Sequence, residues 1–222
     1  INSSHGKNLI GSFYQPNLVI SDTNFLKTLP KREVICGYAE IFKHSIILKE
    51  KFFKYLNENA SKILKIESPF IEKSIIESCK IKKKIVEQDE NEKNIRKILN
   101  FGHTFAHAYE ATLNYSKKLN HGEAVLLGIM SAITFSLKIK LISKKDYLRI
   151  KNHFIKYNLP NNVNNYFSKK NLKKLVLFMK KDKKNTNNNI NLILIKKIGK
   201  IKLSLNFTDK KIYSFLKEQL VN

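Results

Sequence analysis

Three of the six histidines, His103, His107 and His121, crowd into one short stretch between Leu99 and Glu123. His103 and His107 stand four residues apart, so on a helix both imidazoles project from one face, a spacing that suits a metal ion. Thr104 sits where the zincin helix needs its glutamate base, which excludes that metalloprotease arrangement. A His-x-x-x-His pair by itself more often marks ordinary helix surface or core. His121 lies where a polar loop enters the apolar run from Ala124 to Met130, which puts its side chain at a helix mouth. Glu123, three residues after Asn120, reads first as the far half of a capping box. Glu40 interrupts an apolar stripe between Tyr38 and Ile41, where a carboxylate is costly unless it is paired or bound to metal. Lys43 is the candidate partner, and spacing alone leaves pairing and ligation both open. His44, one turn further on, is a rival ligand.

Two lysines stand out from the rest. Lys82 falls on the spacing Ile75, Cys79, Lys82, Val86, so either an anion meets its ammonium on a buried face or the side chain snorkels to solvent. Gly6, Lys7, Asn8 and Gly11 form a turn whose amides and lysine could hold a phosphate, although a lone glycine loop is a weak signal.

The elements that must position these residues are mostly helical. After Pro16, the run Asn17-Leu18-Val19-Ile20 reads as a short strand ending at Asp22. One strand cannot form a sheet, and the chain begins with Ile, so an N-terminal α/β domain is expected to precede residue 1. Pro30 suits a first helical turn, and Val34, Ile35, Tyr38, Phe42 and Ile46 continue with helical period. The pattern predicts helices over 31–48, 50–64, 69–87, 91–113, 121–142, 144–156, 170–180 and 208–219. Ile190 to Ile195 and Lys200 to Leu203, flanking Ile198-Gly199, predict a hairpin. Asn185 to Asn189 reads as a polar low-complexity loop, and no internal repeat is found. The fold class is mainly α, with a domain boundary at Pro30: residues 1–29 as the end of an α/β domain and 30–222 as a helical domain.

Composition narrows the class. The 222 residues are 42% hydrophobic, enough for a sizeable core, and no run of roughly 18 uncharged apolar residues suggests a membrane span. Neither a secretory signal pattern nor paired cysteine spacing occurs, so a soluble, intracellular protein with Cys36 and Cys79 as reduced core thiols is expected. A formal charge of +24 would suit nucleic acid. Lysine dominates arginine, however, alongside abundant Ile and Asn, as a genome rich in A/T codons would produce. Base-stacking aromatics interleaved with the cations are not apparent, and an anionic small molecule suits the charge as well.

Taken in order, the segments GKNLIGSFYQP (6–16), DTNFLKTLPKREVICGYAEIFKH (22–44), IKKKIVEQDENEKNIRKILNFGHTFAHAYEA (81–111) and LNHGEAVLLGI (119–129) closely resemble the dehydroquinate synthase family. The likeness runs to about Ser136 and resumes from Met179 to Lys184. It implies an enzyme of the shikimate pathway that converts 3-deoxy-arabino-heptulosonate 7-phosphate to 3-dehydroquinate and phosphate. It also implies NAD and one divalent metal ion, zinc or cobalt, as cofactors.

The resemblance makes Glu40, His103 and His121 the metal ligands, with His44 a neighbour and His107 a proton-relay or substrate residue beside them. It assigns substrate contacts to Lys43, Lys82, Arg96, Asn100 and His107, an acid of the pocket to Glu92, and an anion contact to Lys183 or Lys184. For NAD it points to Lys7 with Asn8 and to Phe25, Leu26, Lys27 and Thr28. A homodimer and a cytoplasmic setting, or a plastid in a plant-like host, are implied as well. Ala106 replaces the glycine usual before His107. The family's glycine-rich nucleotide fold is not among these residues, so the chain alone is not expected to complete the reaction. Other sugar-phosphate cyclases, and iron- or zinc-type alcohol or glycerol dehydrogenases, are the alternative readings.

Overall fold

A computed structural model describes residues 10–12, 14, 16–181 and 189–221. Lys7, Asn8, Lys183 and Lys184 lie outside the described residues. After a 3-10 turn at Thr23–Thr28, the chain forms α1 (Lys31–Leu48), α2 (Glu50–Leu64) and α3 (Phe70–Gln88). A second 3-10 turn at Ile95–Asn100 leads to α4 (His103–Thr112), α5 (His121–Lys138), α6 (Lys144–Lys156) and α7 (Leu172–Lys180). An antiparallel hairpin of β1 (Asn189–Lys197) and β2 (Lys200–Thr208) precedes α8 (Asp209–Gln219). No described helix is long and apolar enough to cross a membrane.

Side-chain caps start some of the helices. Ser143 accepts a bond from the Asp146 amide to start α6, and Thr208 does the same from Lys211 for α8. The most apolar helix, α5, is buried along nearly its whole length and forms the centre of the core. It pairs antiparallel with α4, so that Gly128 lies against Gly102 while His121 lies against Glu110. A Cβ on Gly128 would stand 2.3 Å from the Gly102 carbonyl oxygen and 2.9 Å from the Ala106 nitrogen. The close approach therefore needs glycine.

Several expectations are corrected. The single helix anticipated over 91–113 is broken. The Asp89 carboxylate accepts the amides of Lys93, Asn94 and Arg96, which turns the chain, and Gly102 at φ 81° separates the 3-10 turn from α4. The helix anticipated to 142 stops at Lys138, where Lys140 adopts φ 57° and Leu141 donates back to the Ser136 carbonyl. Residues 17–20 form no strand, because no described segment pairs with them, and Leu18, Val19 and Ile20 are exposed. The buried face of α3 carries Ile71, Ser74, Ser78, Ile81 and Ile85, so Lys82 is exposed and Cys79 is no core thiol. Cys36 is half-buried, both cysteines are free, and Asn189 belongs to β1.

Under α1 lies His153, fully buried. Its Nε2 is 2.8 Å from the Tyr38 hydroxyl and its Nδ1 3.1 Å from Asn57 Oδ1, and its ring stacks on Phe42. Burial, and then the nearby Lys156 charge, push its pKa down to about 3. The unfolded chain binds a proton near pH 6.5 that the fold refuses, so the stability from this residue is complete above about pH 7. It is expected to be lost as pH falls from 6.5 toward 3, at up to about 1.4 kcal/mol per pH unit. Urea melts between pH 7 and pH 4 check this, with His153→Gln flattening the dependence.

Candidate metal centre

The N-terminal residues of two helices and the middle of a third meet at one point. His103 opens α4, His121 opens α5, and Glu40 projects from α1, with one ligand atom of each lying within 4.8 Å of the others. His103 Nε2 is 3.8 Å from Glu40 Oε1. Roughly 2.0–2.2 Å metal bonds in a tetrahedron place ligands about 3.4 Å apart, so only a small closure separates this arrangement from a bound ion.

The donors are prepared for ligation. His103 Nδ1 lies 3.3 Å from the Phe101 carbonyl oxygen, which can only accept, so the proton sits on Nδ1 and the Nε2 lone pair faces Glu40. His121 Nδ1 lies 3.1 Å from Glu110 Oε2, a buried carboxylate that orients the ring in the same way. Burial, followed by the charges of Lys43, His107 and His121, holds His103 well below its ordinary pKa and therefore neutral.

Glu40 supplies the negative charge. Burial alone would raise its pKa, but the charge and hydrogen bond of Lys43 outweigh it, and the net shift is downward. Lys43 Nζ stands 2.6 Å from Oε2. Oε1 is covered and has no hydrogen-bond partner among the described residues, although 41% of the side chain is exposed. An acceptor left in that state is expensive, and a cation facing the two imidazoles would satisfy it. Salt bridge and metal ligation are thus compatible, one for each oxygen.

The other anticipated residues surround this point to differing degrees. The His107 ring centroid lies 5.5 Å from that of His103 and 6.5 Å from that of His121, beside the triad rather than in it. His44 turns to Ser78, with Nδ1 2.7 Å from its hydroxyl, and burial followed by Lys43 pushes its pKa down to about 4. Asn100 donates to Glu92, which sits at φ 55° in the turn organised by Asp89. Arg96 donates to the Glu90 carbonyl in the same turn. A cavity of about 320 Å³ between α1, α2 and α3 is walled by Glu40, His44, Lys82, Ile75 and Leu26, so Leu26 and Lys82 share a space with Glu40. Phe25 is exposed, Lys27 bonds Asn24 and Thr28 bonds the Phe25 carbonyl.

Three contributors escape the reading of the sequence: Glu110, Asp89 and Arg32. Glu110 follows His107 by three residues and His103 by seven, so its place on the histidine face of α4 was available as a signal. Glu123 is confirmed as a capping residue, exchanging bonds with Asn120, and it also receives Arg32.

The family profile described as 3-dehydroquinate synthase C-terminal matches residues 37–185, and the one described as 3-dehydroquinate synthase N-terminal matches residues 1–36. A 3-dehydroquinate synthase of Pelagibacter ubique is 59% identical over 220 residues, covering 99% of this chain and 60% of the relative. One from Bartonella tribocorum is 40% identical over 222 residues, covering 99% and 59%. The chain thus spans about three-fifths of the length of the curated relatives it matches. In fold it resembles a 2-epi-5-epi-valiolone synthase from Streptomyces hygroscopicus with NAD+ and Zn2+ bound, with a TM-score of 0.84 at 19% identity over 99% of this chain and 60% of that one. A 2-deoxy-scyllo-inosose synthase complexed with carbaglucose-6-phosphate, NAD+ and Co2+ gives 0.81 at 24% identity, over 99% and 61%.

Metal content measured by elemental analysis separates the roles. His121→Ala is expected to abolish tight uptake of one divalent ion per chain, whereas His44→Ala retains it. Glu110→Gln and His107→Ala should each weaken binding by no more than roughly 10–100-fold.

Proposed function

Since the chain belongs to the 3-dehydroquinate synthase family, we propose that it is the metal- and substrate-holding part of an enzyme that releases phosphate from 3-deoxy-arabino-heptulosonate 7-phosphate and forms 3-dehydroquinate. The observation that carries this reading is the convergence of Glu40, His103 and His121, with one buried Glu40 oxygen unsatisfied. Two imidazoles and a carboxylate leave a position open for substrate, as in catalytic rather than structural zinc sites. The family match favours this reading over an alcohol or glycerol dehydrogenase.

When bound, the metal ion would polarise a substrate hydroxyl, and NAD would take up and return the electrons of the internal oxidation and reduction. The chain's own residues do the rest. Lys43, buried beside Glu40, and Lys82, on the wall of the adjoining cavity, put positive charge where the substrate's carboxylate and phosphate must sit. Arg96 offers a planar fork suited to a carboxylate. Asn100 and Glu92, already joined, present a donor and an acceptor to hydroxyls. His107 stands close enough to the triad to hold or pass a proton.

NAD would meet only an edge of its site here, at Lys7, Asn8 and Phe25 to Thr28. Leu26 supports this placement, because it lines the cavity that reaches Glu40. A domain boundary at Pro30 leaves α1 whole, whereas the two family profiles meet inside it, between residues 36 and 37. The homodimer and the cytoplasmic setting rest on the resemblance alone.

The test joins this chain to the N-terminal part of the Pelagibacter ubique relative. The chimera is expected to release phosphate from the heptulosonate phosphate with NAD and zinc or cobalt. A folded, metal-loaded chimera that released none would overturn the reading. In it, Arg96→Ala should lose about 2 kcal/mol or more of substrate binding, a KM rise of roughly 30-fold, with metal content unchanged.

A further inference from the structure

Arg32 lies two turns before Glu40 on α1 and touches none of the ligands, yet it grips the chain on both sides of His121. Its Nε donates to Glu123 Oε1 at 2.7 Å and its Nη2 to Glu123 Oε2 at 2.5 Å. Nη1 donates to the Lys117 carbonyl at 2.7 Å, and Nη2 also donates to the Lys118 carbonyl at 3.0 Å. Glu123 in turn completes the capping box of α5 with Asn120, accepting from the Asn120 amide at 3.0 Å while its own amide donates to Asn120 Oδ1 at 3.1 Å. One guanidinium therefore fixes both the approach to His121 and the first turn of the helix that His121 opens.

The next turn of α1 extends the contact. Cys36 packs on Gly122 so closely that a Cβ there would fall 2.3 Å from the Cys36 Cα. The turn after that carries Glu40. Arg32, Cys36 and Glu40 are spaced four and four, which puts them on one face of α1, the face laid along the start of α5. His121 itself is half-exposed, and beyond the bond to Glu110 its position depends on where this backbone is held.

We infer that Arg32 is a positioning residue for the metal centre, setting the distance between Glu40 and His121 through its fork on Glu123 and the two loop carbonyls. The inference rests on the metal reading proposed above. A lysine could not do the same, since an ammonium lacks the planar pair of donors that meets a carboxylate side-on. A cap alone does not require it either, because Asn120 and Glu123 complete the capping box between themselves.

The test is a Co2+ titration followed by visible absorption, with thermal melts in parallel, on the parent chain, Arg32→Ala, Arg32→Lys, His121→Ala and the double variant lacking both Arg32 and His121. Arg32→Ala is expected to weaken Co2+ binding roughly 10–100-fold, with Arg32→Lys restoring little of it. Without His121, removing Arg32 should change the residual affinity by less than about two-fold, since the two act as one unit. Parent-like affinity in Arg32→Ala or Arg32→Lys would overturn the inference and leave the metal reading standing. So would an equal loss in both backgrounds, which would mark a general structural role. A parent chain that takes up no Co2+ would overturn the metal reading and this inference with it. Should Arg32→Ala fail to fold, Arg32→Lys carries the same comparison.

Discussion

A buried carboxylate oxygen without a hydrogen-bond partner among the described residues, Glu40 Oε1, sets the condition that the surrounding structure answers. Such an atom costs on the order of 1–3 kcal/mol unless something cationic approaches it. Lys43 satisfies the other oxygen and leaves this one facing His103. Three helices must then be held in register. The glycine contact of α4 with α5 sets how closely His103 and His121 approach, and the face of α1 that carries Arg32, Cys36 and Glu40 sets where the carboxylate meets them. These links are packing contacts and hydrogen bonds between segments far apart in sequence, so the centre is a product of tertiary structure.

The electrostatics follow from the same placement. A buried ammonium next to an imidazole would be a poor choice in a simple core, but here it favours a neutral His103, the form that binds metal, and keeps Glu40 ionised. With a cation bound, the neighbourhood would become strongly positive, which suits the proposed substrate with its phosphate and carboxylate. The overall charge of +24 reinforces that attraction without requiring a nucleic-acid partner.

Much of this was legible in the sequence. The bounds of α1, α2 and α6 follow from apolar period and from Pro30, and β1 and β2 from alternation about Gly199. Residue types and spacing brought Glu40, His103, His107, His121 and His44 forward, but local reasoning could not choose among them, since Glu40 has a pairing partner in Lys43 and His44 an equally good spacing. The resemblance made that choice, and the structure brings Glu40, His103 and His121 together, which supports the proposed ligand set. What stayed hidden depends on contacts beyond one helix. The break at Gly102 needs the Asp89 carboxylate to capture three amides, and the face that α3 buries is decided by its neighbours rather than by its own period. Arg32 meets Glu123 across 91 positions, and no local pattern announces such a pair.

The central claim, one divalent metal ion held by three helices, is tested most directly by anomalous diffraction at the zinc edge from a crystal grown with zinc. One peak is expected, roughly 2.0–2.2 Å from Glu40 Oε1 and from Nε2 of both His103 and His121, with the fourth position filled by water or substrate. A peak on His44, one bridging His103 and His107 without Glu40, or none at this point would contradict it.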